Sequence, residues 1–327
     1  MIKIPCFEDI QIAAKRIEGV AVRTPLLQSA LLNELTKAKV YLKPEILQRT
    51  GSFKFRGAYN AISALSDEEK SKGVMAVSSG NHAQGIAEAA RLLGVSATII
   101  MPADSPAIKL ARTKRSGAKV ITYDRFKEDR EKLATEYLEK HNCVFIHPYE
   151  SFEVIAGQGT AGLEICEDLN AMNIVPDHML VCSGGGGLTA GINLAMQHFF
   201  PKALVHSCEP DGFDDYRRSL ELGERVSNTK LAGSVCDAIV TPMPGEVSFA
   251  INNGHMGEGL VVTDEEALKA VAFAFNELKL VVEPGGAVAL ASLIRNADKL
   301  AEKTVVITLS GGNIDPEILA QALQQNA

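Results

Sequence analysis

"HMLVCSGGGGLTAGINLAMQHFF", residues 178–200, joins a largely apolar run, four consecutive glycines and an apolar stretch of helical length. A run that is apolar at every position, not at alternate ones, marks a strand buried on both faces. The same pattern recurs along the chain. "VMAVSSGN" leads into "HAQGIAEAARLLG", and "SATIIMP" into "SPAIKLARTKRSG". "AKVITYD" precedes the charged helix "RFKEDREKLATEYLEKHN", which "CVFIHP" follows; "ALVHSCEP" precedes "GFDDYRRSLELG", and "TVVITLSGGN" is the last strand. Strands alternating with crossover helices predict an α/β architecture with parallel sheets. The units fall into two sets, residues 65–150 and 150–327, which would build two open sheets with a cleft between them. The expected division is a large domain, 1–64 plus 151–327, and a small mobile domain, 65–150. No linker, internal repeat or low-complexity segment interrupts them. The chain ends soon after "SGGNIDPEILAQALQQNA", so no C-terminal regulatory domain is expected.

A net charge of −7 argues against a nucleic-acid or anionic-membrane surface, while leaving room for a locally basic pocket. The six cysteines show no CxxC spacing, and most sit in apolar runs, which reads as reduced, buried thiols. The N-terminus has charges every few residues and no secretory h-region, and no apolar stretch approaches transmembrane length. A cytoplasmic protein is expected.

Three strands end in polar glycine turns: "VSSGNHAQG" (77–85), "VCSGGGGLTAG" (181–191) and "TLSGGN" (308–313). In parallel sheets ligands bind beyond the carboxyl ends of the strands. Successive backbone N–H groups of Gly184, Gly185, Gly186 and Gly187, opening a helix, suit an anion. Gly185-x-Gly187-x-x-Ala190, followed by Glu209, also fits a dinucleotide fingerprint, which leaves the other turns unexplained. In "QRTGSFKFRGAYNA" (48–61), Lys54 lies between Phe53 and Phe55. It is either a lysine that snorkels to water or a desolvated amine able to form a Schiff base.

A pyridoxal phosphate site would use all four segments: a lysine for the aldehyde, a phosphate cradle, a donor for the phenolic oxygen and a partner for the ring nitrogen. "TGSFKFRGA", "SSGNHAQG", "AGQGTAGLE", "SGGGGLTAG" and "LSGGNID", in this order, resemble the fold-type II pyridoxal-phosphate enzymes, specifically the threonine/serine dehydratase and serine racemase family. The resemblance runs from "RTPLLQS" to "SGGNID". It implies two open parallel-type sheets wrapped by helices, as in the tryptophan synthase β subunit, with the cofactor in the cleft. It implies that Lys54 carries the cofactor, with Phe53 beside it. Gly184 to Gly187 and Leu188 would hold the phosphate, Asn81 the phenolic oxygen and Ser310 the ring nitrogen. A hydroxyl at that nitrogen leaves the pyridine unprotonated, which suits elimination more than transamination. The freed Lys54 amine would take the Cα proton, and loss of the β-hydroxyl would lead to a 2-oxo acid and ammonia. Ser78, Ser79, Gly80, Asn81 and His82 would hold the α-carboxylate.

Three positions discriminate within the family. Ser79 would be a second acid/base in a racemase, or a turn-capping serine. In "CEPDGFDD", Glu209, Asp215 and the carbonyl of Phe213 match the divalent-cation site of serine racemases, and oxygen ligands suit Mg²⁺, Ca²⁺ or Mn²⁺. Arg130 falls where hydroxyaspartate dehydratases read a second carboxylate, a task that suits a planar fork. Read as mid-helix, it has no acid among Phe126, Lys127, Leu133 and Ala134. Two segments depart from the family pattern, "SVCDA" (234–238) and "VEPGGA" (282–287), and both are expected to touch the cofactor's surroundings. The expected activity is dehydration and deamination of L-threonine, L-serine or L-threo-3-hydroxyaspartate by a homodimer or homotetramer. The rival expectations are a serine racemase with side elimination, a nicotinamide-dependent dehydrogenase and a catalytically silent cofactor-binding protein.

Overall fold

The computed structural model describes residues 3–105, 107–124, 127–230 and 232–325. Among them, ten strands form two sheets: β1 (Leu27–Gln28), β2 (Lys39–Pro44), β3 (Val74–Val77), β4 (Ala97–Pro102), β5 (Lys119–Tyr123), β6 (Val144–Phe145), β7 (His178–Cys182), β8 (Leu204–Pro210), β9 (Leu260–Val262) and β10 (Thr304–Leu309). The larger sheet runs β1-β2-β10-β7-β8-β9 and the smaller β5-β4-β3-β6. Every pair is parallel except β1 with β2. The α/β reading with two open parallel-type sheets therefore holds.

Apolar residues on both faces of each strand explain the continuous runs. On β7, Leu180 packs with Leu42, Ile307 and Leu290, whereas its neighbours Met179 and Val181 pack on the other side with Val306, Ile192 and Met196. In the smaller sheet, Ile99 joins Val74 and Ile86, and Ile100 joins Met75 and Tyr123. Each such buried side chain contributes about 2 kcal/mol.

Strand β2, "KVYLKP", does not read as a core strand because it carries two lysines and a proline. Lys43 is nonetheless fully buried, donating to Glu164 Oε2 at 2.6 Å and to the Thr24 carbonyl at 2.7 Å. Arg56 completes the cluster, bidentate to Glu45 (2.7 and 2.8 Å) and to Glu164 (2.7 and 2.8 Å). Two cations thus face two carboxylates, so the buried charge is compensated.

Helix Lys54–Ser63 carries Arg56, and it packs against helix Phe152–Ala171. That approach depends on glycine: a methyl group at Gly157 would lie 2.7 Å from the Arg56 carbonyl. "AGQGTAGLE" is thus a helix–helix contact, and its Gln158 also lines the cavity described below. The charged helix expected from residue 125 begins at Arg130 and ends at His141; Arg125 and Phe126 lie outside the described residues. All six cysteines are free, four of them buried, with Cys6 exposed and Cys143 half-buried. No described helix is long and apolar enough to cross a membrane.

Candidate active site

A cavity of about 410 Å³ opens at the carboxyl ends of β3, β7 and β10. It is lined by Phe53, Lys54, Ser78, Ser79, Gly80, Asn81, His82, Arg130, the Gly184–Gly187 turn, Leu188 and Ser310. The elements that bring these residues together are the starts of three helices, Lys54–Ser63, Asn81–Leu93 and Gly187–Phe199. Helix starts carry the positive end of the dipole; those at Asn81 and Gly187 also offer first-turn N–H groups to an anion, whereas at Lys54 the Phe55 and Arg56 amides already donate to the Ser52 and Phe53 carbonyls.

Lys54 is half-buried, its Nζ donating to the Pro148 carbonyl at 2.8 Å and lying 5.1 Å from the Phe53 ring centroid. Desolvation pushes its pKa down to about 8. Of the two readings of this lysine, the structure supports the desolvated amine. His82 is buried, with Nε2 2.9 Å from the Ile146 carbonyl, and its Nδ1 has no hydrogen-bond partner. Burial, reinforced by the nearby Lys54, pushes its pKa down to about 3. A neutral ring that donates from Nε2 leaves Nδ1 an acceptor.

The glycine turn is shaped by two tyrosines absent from the expected site. Gly186 has φ +87°, a conformation L side chains rarely adopt, and a methyl group there would meet the Tyr216 ring at 2.2 Å. One at Gly185 would meet the Tyr149 ring at the same distance. Asn81 is held at both ends of its amide: Nδ2 donates to Glu283 Oε1 at 2.5 Å, and Oδ1 accepts from Asn313 Nδ2 at 2.7 Å. Glu283 and Thr241 also line the cavity, and the buried Thr241 hydroxyl has no partner. Neither carries a motif, although Glu283 lies inside "VEPGGA", one of the two segments that depart from the family pattern. A neutralisable amine, a helix-start cradle, an amide donor and the nearly buried hydroxyl of Ser310 fit pyridoxal phosphate in number and chemistry.

The three expected metal ligands lie outside this cavity. Glu209 is fully buried, and its carboxylate accepts from the Tyr216 and Arg217 amides, both at 2.8 Å. It therefore caps helix Asp215–Leu222, and the fingerprint role suggested by its spacing from the glycine turn does not apply. Burial pushes Glu209 well above the ordinary carboxylate range, and it pushes Asp215 up to about 7. Asp215 Oδ1 accepts from Asn228 at 2.5 Å, while Oδ2 has no partner. Two buried acids with one orphaned oxygen fit a divalent cation. Among the described residues, no group of three or more His, Cys, Asp or Glu side chains is placed to hold a metal. The third ligand would have to be the Phe213 carbonyl, as expected.

Arg130 opens its helix and does not sit within it, so Lys127 is not its helical neighbour, and Phe126 lies outside the described residues. The spacing argument for a functional role therefore lapses upstream, and its place on the cavity wall stands in its stead.

A two-sheet α/β protein with an activated lysine and an anion cradle in one cleft belongs to the class of enzymes that bind a phosphorylated aldehyde cofactor. The chain is a member of the pyridoxal-phosphate dependent enzyme family, whose pattern it matches over residues 17–311. It is 40% identical to a serine racemase of Schizosaccharomyces pombe over 322 residues, 98% of each chain. It is 41% identical to an L-threo-3-hydroxyaspartate ammonia-lyase of Saccharomyces cerevisiae, covering 95% of this chain and 94% of that one. Among solved structures, a serine racemase from Dictyostelium discoideum superposes with a TM-score of 0.86 at 37% identity, over 94% of this chain and 98% of that one. A threonine deaminase from T.th. superposes with a TM-score of 0.90 at 41% identity, over 95% of this chain and 99% of that one.

Proposed function

We propose that the chain is an ammonia-lyase converting β-hydroxy-α-amino acids to 2-oxo acids and ammonia, with L-threo-3-hydroxyaspartate preferred over L-threonine and L-serine. The observation that carries this reading is Lys54, an amine held at a pKa of about 8 in the same cavity as the glycine turn, Asn81 and Ser310. The amides of Gly184 to Gly187 and Leu188 would hold the cofactor phosphate at the start of helix Gly187–Phe199. Asn81 would donate to the phenolic oxygen, and Ser310 would serve the ring nitrogen. When bound, the cofactor supplies an electron sink for the pair left on Cα. Lys54 Nζ, neutral at mildly alkaline pH, takes the Cα proton. The backbone N–H groups and hydroxyls of Ser78 to His82 would hold the α-carboxylate, while the His82 ring, neutral and with its Nε2–H given to the Ile146 carbonyl, stays out of that contact and adds no charge. Loss of the β-hydroxyl as water, followed by hydrolysis of the resulting enamine, leaves the 2-oxo acid and ammonia. Arg130, on the cavity wall, reads a second carboxylate as a bidentate partner.

The test is 2-oxo acid release from the three substrates by wild type and Arg130→Ala. Preference for hydroxyaspartate, lost selectively in the variant, supports the proposal. Activity on none of the three would sink the lyase reading.

Ser79, in the same cavity as Lys54, favours a second reading, a serine racemase with side elimination. D-serine formation that disappears in Ser79→Ala while elimination persists would establish it. Glu209, Asp215 and the Phe213 carbonyl would hold Mg²⁺ as a structural ion. Residues 65–150 would move as a small domain over the rest, in a cytoplasmic homodimer or homotetramer.

A further inference from the structure

We propose that Arg112 is a positioning residue that fixes which end of the Asn81 amide faces the cofactor, through a polarised chain of hydrogen bonds running between the two sheets. The proposal rests on the reading that the cavity holds pyridoxal phosphate.

Arg112 lies on helix Ala107–Arg115, which follows β4 of the smaller sheet. Its Nη1 donates to Asn313 Oδ1 at 3.0 Å. Asn313 follows β10 of the larger sheet, and its Nδ2 donates to Asn81 Oδ1 at 2.7 Å and to the Thr50 carbonyl at 2.8 Å. Asn81 Nδ2 in turn donates to Glu283 Oε1. The chain thus begins at a guanidinium, which can only donate, and ends at a carboxylate, which accepts.

The direction matters because an amide can be turned over at almost no cost in shape. With a donor at one end and an acceptor at the other, both amides have a single satisfied orientation. Asn313 must turn its oxygen to Arg112, and Asn81 must turn its oxygen to Asn313 and its nitrogen to Glu283. An amide nitrogen carries two N–H groups, and Glu283 takes one of them. Asn81 therefore presents a donor edge to the cavity, the polarity that an anionic phenolic oxygen requires. Aligned dipoles strengthen one another along such a chain.

The same amide steadies the segment leading to Lys54. Thr50, whose carbonyl Asn313 holds, has φ +65°, costly for a β-branched residue. A methyl group at the neighbouring Gly51 would lie 3.0 Å from Asn313 Oδ1, so the turn and the amide fit closely. Arg112 is half-buried on a helix surface, so its replacement leaves both sheet cores intact.

The relay is tested by stripping the cofactor from wild type, Arg112→Lys, Arg112→Met and Arg112→Glu and titrating each with pyridoxal phosphate. The visible absorption of the bound cofactor gives Kd and, followed against pH, a titration midpoint. Lysine keeps an obligate donor, methionine keeps only the stem, and glutamate puts an acceptor against the Asn313 oxygen. We expect Lys close to wild type, Met about tenfold weaker, as for loss of one charge-assisted hydrogen bond, and Glu weaker still. The midpoint shifts to higher pH in Met and Glu but not in Lys, because the phenolic oxygen loses its donor. A ranking that follows side-chain size, or equal binding with an unchanged midpoint in all variants, overturns the relay. If glutamate prevents folding, the lysine–methionine contrast decides. If wild type itself binds no pyridoxal phosphate, the reading of the cavity fails, and the relay fails with it.

Discussion

Replacing Lys54 by methionine is expected to abolish lyase activity and to stabilise the cofactor-free protein. The amine's pKa falls from 10.5 to about 8 on folding, by desolvation. At about 1.4 kcal/mol per tenfold, the ammonium form costs at most about 3 to 4 kcal/mol at neutral pH. The pH dependence separates this cost from any packing gain by methionine. Below pH 8 the folded and unfolded chains both carry the proton, so the cost is constant. Between 8 and 10.5 the unfolded chain still binds a proton that the folded one has released, so wild-type stability rises with pH and the variant's advantage shrinks. Urea titrations of both cofactor-free proteins from pH 7 to 10.5 measure the difference directly. A second readout is the rate at which an amine-selective reagent labels Lys54. At pH 8 half of this amine is free base, against about 0.3% of an ordinary lysine. A variant no more stable than wild type at pH 7 would refute the desolvated amine. So would an advantage that does not narrow as the pH rises, or a labelling midpoint above pH 10.

Arg56→Met leaves the buried Glu45 and the partly buried Glu164 with only Lys43 to answer them. It should lower stability by about 3 to 5 kcal/mol, and an unchanged denaturation midpoint would contradict the ion cluster. Gly186→Ala places a methyl group against Tyr216 at φ +87°. Strain of about 1 to 3 kcal/mol should weaken cofactor binding by about 5- to 150-fold in an equilibrium titration. If Glu209 and Asp215 hold Mg²⁺, the ion at a hundred times its Kd adds about 2.7 kcal/mol. It should then raise the melting temperature of wild type but not of Asp215→Asn, and equal shifts in both would remove the site.

Sequence pattern reveals structure where chemistry and geometry are local. The β7 strand, glycine turn and helix between His178 and Phe199 are legible because one contiguous segment holds the strand, the anion cradle and the helix start. Lys54, Asn81 and Ser310 are legible because each sits in a quotable motif. Strand β2 is not, because Lys43 is acceptable in the core only through Glu164, 121 residues away. Tyr149 and Thr241 reach the cavity from segments with no glycine turn, and their places arise only once both sheets are assembled; Glu283 lies in "VEPGGA", a segment expected beside the cofactor, but its bond to Asn81, 202 residues away, is not legible. Arg130 shows the opposite failure: helical spacing does not extend to the residues that precede its helix. Asn313 stands in a quotable motif, yet its link to Arg112 spans 201 residues and is invisible to any local reading.

The placement of Arg56 two residues after Lys54, in the same first turn of one helix, has a consequence for redesign. The lysine faces the cleft, while the arginine is riveted into the ionic cluster beneath it. Shifting or rotating that turn to re-aim the amine would tear the rivet, so the reactive group cannot readily be re-sited by substitution. Ser79 and Arg130 hang on a different sheet. Grafting the 74–145 segment between relatives would therefore exchange that wall of the cavity, Asn81 and Arg112 included, while Lys54 stays bolted in place.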